Sequence, residues 1–183
     1  MEKLQKNTKA PIFKMLDINN NLIALDKYIG KKIFLTFFRT ASCPFCNLRV
    51  HKLIQKADFY KKNNVQIICF FASSKEEVLK YAGKQLPTFS IIPDANEIIY
   101  QKYKIQSSKA VKFHAMKRIG TMIQFTRKGF FSLKSMTDEP ILPADFLINE
   151  KGIFNNCYYG KDFGDHLSFT EIDYWVKFQD YKT

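Results

Sequence analysis

Histidine is scarce in this 183-residue chain, with only His51, His114 and His166, and cysteine is limited to four, Cys43, Cys46, Cys69 and Cys157. That shortage disfavours a structural zinc site, since a Cys-x-x-Cys knuckle needs two further cysteines or histidines close together and here the remaining ones are scattered. Four cysteines, two of them adjacent in a Cys-x-x-Cys, are also too few for the disulfide framework of a small secreted domain. Apolar runs long enough for a signal peptide or a membrane span are missing, and the polar, lysine-rich stretch Met1–Lys9 leads directly into the first short strand. The expectation is a cytoplasmic chain with no membrane span. No repeat, low-complexity tract or Pro/Gly/Ser-rich linker divides it, so residues 1–183 read as one domain.

Acidic residues are absent between Glu97 and Asp138, while lysines and arginines are frequent there, and the whole chain carries a formal charge of +12. Basic surfaces attract phosphates. Lysine, asparagine, isoleucine and phenylalanine are all abundant, however, which fits a general compositional bias, and no nucleic-acid partner is expected. Residues 107–134 read as a basic helical insertion whose apolar positions recur at loose helical spacing, interrupted at Gly120.

What the chain has is a dithiol in a telling place. Cys43-Pro44-Phe45-Cys46 follows the apolar run Ile33–Phe38 and opens a helical segment, Asn47–Lys62. A helix N-terminus presents partial positive charge and free N–H donors, so a cysteine there has its thiolate stabilised, and a second sulfur one turn on can close a small disulfide ring. Ile33–Phe38 and Val65–Phe71 read as central strands buried on both faces. Ser74, with Glu77 three residues on, reads as a helix start. Phe89–Ile92 reads as a strand, with a helix from Pro93-Asp94 through Tyr103. Ala144–Ile148 and Ile153–Tyr159 form a hairpin about Glu150-Lys151-Gly152, and a helix over about 170–178 closes the chain. An N-terminal hairpin is read from Ile12–Leu16 and Leu22–Leu25. Cys69, mid-strand among apolar residues, reads as core filler; Cys157 has a further redox role or a dimer disulfide as its alternative. The Asp and His residues of Gly160–His166 either face the active site or cap a loop.

This order of elements resembles the thioredoxin fold, an α/β architecture with a central mixed β-sheet flanked by helices. The run Pro143-Ala144-Asp145-Phe146-Leu147-Ile148-Asn149-Glu150-Lys151-Gly152 is similar to the cis-proline strand of thioredoxin-like redoxins. The N-terminal hairpin, Gly30-Lys31 between strands, and residues 93–103 resemble the AhpC/TSA, peroxiredoxin-like branch. The resemblance implies a thiol-disulfide oxidoreductase or a thiol-dependent peroxidase. Cys43 would attack and Cys46 resolve, Leu142-Pro143 would pair with an extended substrate, and no metal or organic cofactor would be used. Its partners would be a peroxide or disulfide substrate and a thioredoxin- or glutathione-type electron donor, with a homodimer as a further expectation. Peroxiredoxins carry Pro-x-x-x-Thr-x-x-Cys; here Thr40-Ala41-Ser42-Cys43 keeps the Thr-x-x-Cys part, Thr36 stands where the proline belongs, and Pro143 stands where the motif's later arginine belongs. Arg39 or Arg49 is the candidate replacement for that charge. The reading of a different class is a non-catalytic binding module with a basic docking segment and a regulatory dithiol.

Overall fold

The computed structural model describes residues 2–108 and 138–178. Almost all of the expected basic insertion lies outside the described residues. A two-stranded antiparallel hairpin, β1 (Lys14–Leu16) and β2 (Leu22–Ala24), precedes a five-stranded mixed sheet in the order β5-β4-β3-β6-β7. The strands are β3 (Lys32–Phe38), β4 (Val65–Phe71), β5 (Ser90–Pro93), β6 (Ala144–Ile148) and β7 (Phe154–Tyr159). β4 runs parallel to β3 and to β5, whereas β6 is antiparallel to β3 and to β7. The described helices are α1 (Pro44–Lys62), α2 (Lys75–Lys80), α3 (Ile98–Lys102) and α4 (Phe169–Phe178).

The near-continuous apolar strands place β3, β4 and β6 at the centre, where both faces are covered. Every residue of β3 and β6 is buried. Alternation along β3 splits the core in two. Phe34 and Phe38 join Cys69, Phe71, Leu147 and the inner sides of α1 and α4 on one face. Ile33, Leu35 and Phe37 join Phe70, Tyr100, Tyr103 and Phe146 on the other. The second face is dominated by aromatic contacts, with Phe37 stacked on Phe70 at 4.9 Å and edge-on to Tyr100 at 5.1 Å. Burial of each such ring contributes about 1.5–3 kcal/mol.

Strands and helices follow the sequence closely, with one correction. Pro93 does not open a helix; it is the last residue of β5, and α3 begins only at Ile98. The buried Asp94 side chain reaches forward to accept the N–H groups of Ile98 at 3.0 Å and Ile99 at 2.7 Å, so the cap and the first turn are four residues apart. Ser74 caps α2 as expected, accepting the Glu77 N–H at 3.3 Å. Ser107, at the start of the expected helical insertion, instead pairs antiparallel with Ile141.

Two devices lock the sheet, one at the end away from the dithiol and one at the end that carries it. Lys32 Nζ donates to the carbonyls of Trp175 and Val176 at 3.1 and 2.9 Å, which ties the last turn of α4 to the start of β3. Gly160 donates its N–H to the Pro143 carbonyl at 2.8 Å, and the chain passes so close that a Cβ there would lie 2.2 Å from the Asp165 carbonyl oxygen and 3.0 Å from Pro143. Backbone cannot yield as a side chain can. Gly160→Ala is therefore expected to lower stability by about 1–3 kcal/mol, seen as a lower urea midpoint at unchanged slope; an unchanged midpoint would show that this contact carries no constraint.

Candidate active site

β3 ends at Phe38 and the chain turns through Arg39–Ser42 to place Cys43 as the N-cap of α1, with Pro44 as its first residue. Proline is favoured there because its missing N–H would have had no helical partner. The turn is held on all sides. Cys43 donates its N–H to the Thr40 carbonyl at 3.1 Å, Ala41 donates to Ser73 Oγ at 3.0 Å, and Asn47 Nδ2 donates to the carbonyls of Ala41 and Cys43 at 2.7 and 2.9 Å.

Both thiols are free and buried, Cys43 being 1% exposed and Cys46 inaccessible. Burial alone would raise both. Instead they part. Cys43 is lowered to about 7, first by the hydrogen bond from the Cys46 thiol, then, against the cost of burial, by the Cys46 backbone N–H, the Arg39 charge and the Phe45 N–H. Cys46 is pushed well above its ordinary value, first by burial, then by donating to Cys43 and by the charge that develops on it. The arrangement favours ionisation at Cys43 over Cys46.

Of the two candidate arginines, Arg39 is the one whose charge bears on Cys43. Arg39 is buried beside the dithiol, donates from Nε to the Glu139 carbonyl at 2.7 Å and from Nη2 to the Asp138 carbonyl at 2.8 Å, and lies 4.4 Å from the Phe163 ring centre. Arg49 turns toward the sheet, where Nη2 donates to Leu167 O at 2.7 Å and lies 3.8 Å from Asp145.

Thr40 lies within the same loop, but its hydroxyl is engaged by a residue the motif does not predict: Thr40 Oγ1 donates to Asp138 Oδ2 at 2.6 Å, and Ser42 Oγ donates to the same oxygen. No short motif announces Asp138, which is about a hundred residues away in sequence. Its position as the first acidic residue after a long basic stretch was the one available signal.

Pro143 is buried on the lead-in to β6, and Leu142 packs with Phe163 against Phe45 of the Cys-x-x-Cys. Two expectations change here. No peptide bond among the described residues is cis, so Leu142-Pro143 is trans. Leu142 is also not free to pair with an extended substrate: its N–H donates to the Gln106 carbonyl at 2.8 Å, and Ser108 donates to the Pro140 carbonyl at 2.9 Å. The chain's own segment occupies that edge.

Beneath α1 lies a buried polar cluster. Asp145 faces Thr36 across the β3–β6 register and accepts from Thr36 Oγ1 at 2.6 Å, His166 Nδ1 at 3.0 Å and the Leu167 N–H at 2.8 Å. Burial pushes its carboxyl upward, yet the His166, Arg49 and Thr36 contacts outweigh that and hold it below the ordinary carboxylate value. Thus the threonine in place of the motif's proline is a hydrogen-bond donor to a buried carboxylate. His166, from the link after β7, reaches this cluster, whereas Asp165 caps its own loop through Tyr158 and the Lys161 N–H. Cys69 is buried core with its thiol pushed up, as its place in β4 implies. Cys157 is half-buried and burial raises it to about 12, a poor thiolate.

Among the described residues no group of three or more His, Cys, Asp or Glu side chains could hold a metal ion, and no helix is long and apolar enough to cross a membrane. Removing Asp145 would leave Arg49 and His166 buried without their carboxylate. Asp145→Ala is expected to cost about 3–5 kcal/mol, the usual loss when one partner of a buried charge pair is deleted; a loss under about 1 kcal/mol in chemical denaturation would place the pair outside the set of stabilising contacts.

A family model and the curated relatives agree on one family, and solved structures share the fold. Residues 7–156 match the model of the AhpC/TSA family. A curated relative, peroxiredoxin Bcp of Escherichia coli strain K12, is 22% identical over 110 residues, covering 60% of this chain and 70% of that protein. Among solved structures, the reduced 2-Cys peroxiredoxin of Plasmodium vivax superposes with a TM-score of 0.66 at 18% identity, covering 94% of this chain and 80% of the other. Peroxidoxin BcpB of Mycobacterium tuberculosis does so with a TM-score of 0.63 at 11% identity, covering 85% and 86%.

Proposed function

The chain belongs to the AhpC/TSA family, and from that premise we propose that it is a thiol-dependent peroxidase in which Cys43 attacks the peroxide and Cys46 resolves the product. The observation that carries this reading is the opposed displacement of two hydrogen-bonded thiols, Cys43 down to about 7 and Cys46 well up. A reactive thiolate needs the first property, and a resolving thiol that waits its turn needs the second.

The chemistry proceeds in two steps. The Cys43 thiolate attacks the terminal oxygen of the hydroperoxide; an S–O bond forms, the O–O bond breaks, and the alkoxide leaves and takes a proton to become the alcohol, or water when the substrate is hydrogen peroxide. Cys43 is then a sulfenic acid. The Cys46 sulfur displaces its hydroxyl group, which leaves as water, and the Cys43–Cys46 disulfide forms. An external thiol donor, one dithiol or two monothiols, returns two electrons and two protons. A thioredoxin- or glutathione-type donor met in the cytoplasm fits that role, and a homodimer is the assembly we expect to carry it.

The preference for a small peroxide over a protein disulfide is supported by the edge beside Pro143, where the Leu142 N–H is already taken by Gln106. A protein disulfide would have to displace the 106–108 segment before its backbone could pair there. Thiol-disulfide exchange is the second reading, favoured by the replacement of two peroxiredoxin motif positions by Thr36 and Pro143. The reading as a non-catalytic binding module is not favoured, since family membership and the polarised dithiol both argue for chemistry.

Mixing the fully reduced protein anaerobically with one equivalent of hydrogen peroxide tests this directly. Two thiols are expected to disappear in wild type. In Cys46→Ser a sulfenic acid at Cys43 should accumulate and be trapped by dimedone. Inertness toward peroxide together with rapid reduction of a protein disulfide such as insulin would move the assignment to the second reading.

A further inference from the structure

One carboxylate holds two hydroxyls of the loop that leads into Cys43, and the sequence motif does not contain it. Asp138 Oδ2 accepts the Thr40 hydroxyl at 2.6 Å and the Ser42 hydroxyl as well, while the two hydroxyl oxygens lie 3.3 Å apart. A hydroxyl has a single hydrogen. With both hydrogens committed to Asp138, neither oxygen can donate to anything else, and each offers only lone pairs. The same stretch of backbone fixes the cation: the Asp138 and Glu139 carbonyls hold Arg39 at 2.8 and 2.7 Å. Stabilisation of the Cys43 thiolate accordingly comes from Cys46, Arg39 and backbone N–H groups, and the Thr40–Ser42 pair is left for another task.

We propose that Asp138 is a positioning residue that fixes the Thr40 and Ser42 hydroxyls as hydrogen-bond acceptors and thereby selects substrates that bring an O–H to the site, namely hydroperoxides, over disulfides, which bring none. The inference rests on the peroxidase reading and deepens it. A hydroperoxide donates its terminal O–H to the waiting oxygen of Thr40, which holds the adjacent O–O bond against the Cys43 sulfur. As the thiolate attacks, the S–O bond forms on that terminal oxygen and the O–O bond breaks. The held hydrogen remains on the oxygen that becomes the sulfenic acid, and the departing alkoxide takes a proton from solvent. A disulfide entering the same space meets two oxygens with nothing to accept, so it gains nothing from them. Asp138 touches no reacting atom; it acts through the hydroxyls.

The test compares Asp138→Ala with wild type on two substrates, hydrogen peroxide and 2,2′-dipyridyl disulfide, the latter having no O–H or N–H to donate. Both hydroxyls rest on one carboxylate oxygen, so removing the carboxylate releases both hydroxyl hydrogens and the pair no longer presents acceptors alone. The second-order rate with peroxide is expected to fall about tenfold or more, the usual effect of losing a hydrogen bond to a charged group, while the rate with the disulfide stays within about threefold. Asp138→Glu, which keeps the carboxylate, should restore part of the peroxide rate. Should Asp138→Ala lose its near-ultraviolet circular dichroism, Thr40→Val carries the same comparison, since it deletes the acceptor itself. A parallel fall on both substrates would show a merely structural role and overturn the proposal, as would unchanged rates on both. Wild-type protein inert toward peroxide would instead overturn the peroxidase reading, and the inference with it.

Discussion

A thiolate buried at 1% exposure has almost no water to solvate it, and everything around Cys43 follows from that constraint. Desolvation opposes charge on sulfur, so the negative form survives only where fixed donors replace the lost water. The Cys46 thiol is the strongest of these, backed by N–H groups of the first turn of α1 and by the Arg39 charge. Such donors help only if they are in place before the charge forms. The hydrogen bonds of Asn47, Ser73 and Thr40 to the loop supply that rigidity. The same bond that lowers Cys43 raises Cys46, so one interaction assigns both roles.

The sheet supports this arrangement from below through a polar cluster within an otherwise apolar layer. β3 delivers Thr36, β6 delivers Asp145, α1 delivers Arg49 and the link after β7 delivers His166, and each finds its partner in the others. A buried carboxylate with three donors and a cation is a registration device as well as a contact: a slip of one residue between β3 and β6 would turn Asp145 toward the aromatic face. Pro143 and Asp145 are fixed by the same strand. Placement of the loop against Phe45 is therefore linked to the pairing that orients Asp145.

Most of the fold was legible because its signals are local. Continuous apolar runs marked β3 and β4, the Ser74–Glu77 spacing marked the start of α2, and the dithiol marked the start of α1. The boundary of α3 was misread because proline and aspartate side by side are a common helix opening, and only the three-dimensional position of Asp94 shows that its carboxylate caps residues four and five positions on. Around the dithiol, the candidates Cys43, Cys46, Thr40 and Arg39, with Arg49 as the alternative to Arg39, could be read from the sequence because they lie within a few residues of one another. Asp138 and Gln106 could not: their contacts join chain segments about a hundred and about thirty-six residues from their partners, with no periodicity or motif to connect them. For the same reason the sequence showed a free edge at Leu142 where the folded chain has closed it.

Site-resolved titration of the two active-site thiols tests the central claim most directly. With ¹³Cβ-labelled cysteine in the reduced protein, the Cys43 resonance is predicted to move through its thiol-to-thiolate transition near pH 7, while Cys46 stays a thiol throughout the range in which Cys43 ionises. Sign and order both matter here: Cys43 becomes reactive as pH rises through about 7, and replacing Cys46 by alanine should shift that transition upward. Two thiols titrating together near the ordinary cysteine value, or Cys46 ionising first, would contradict the account.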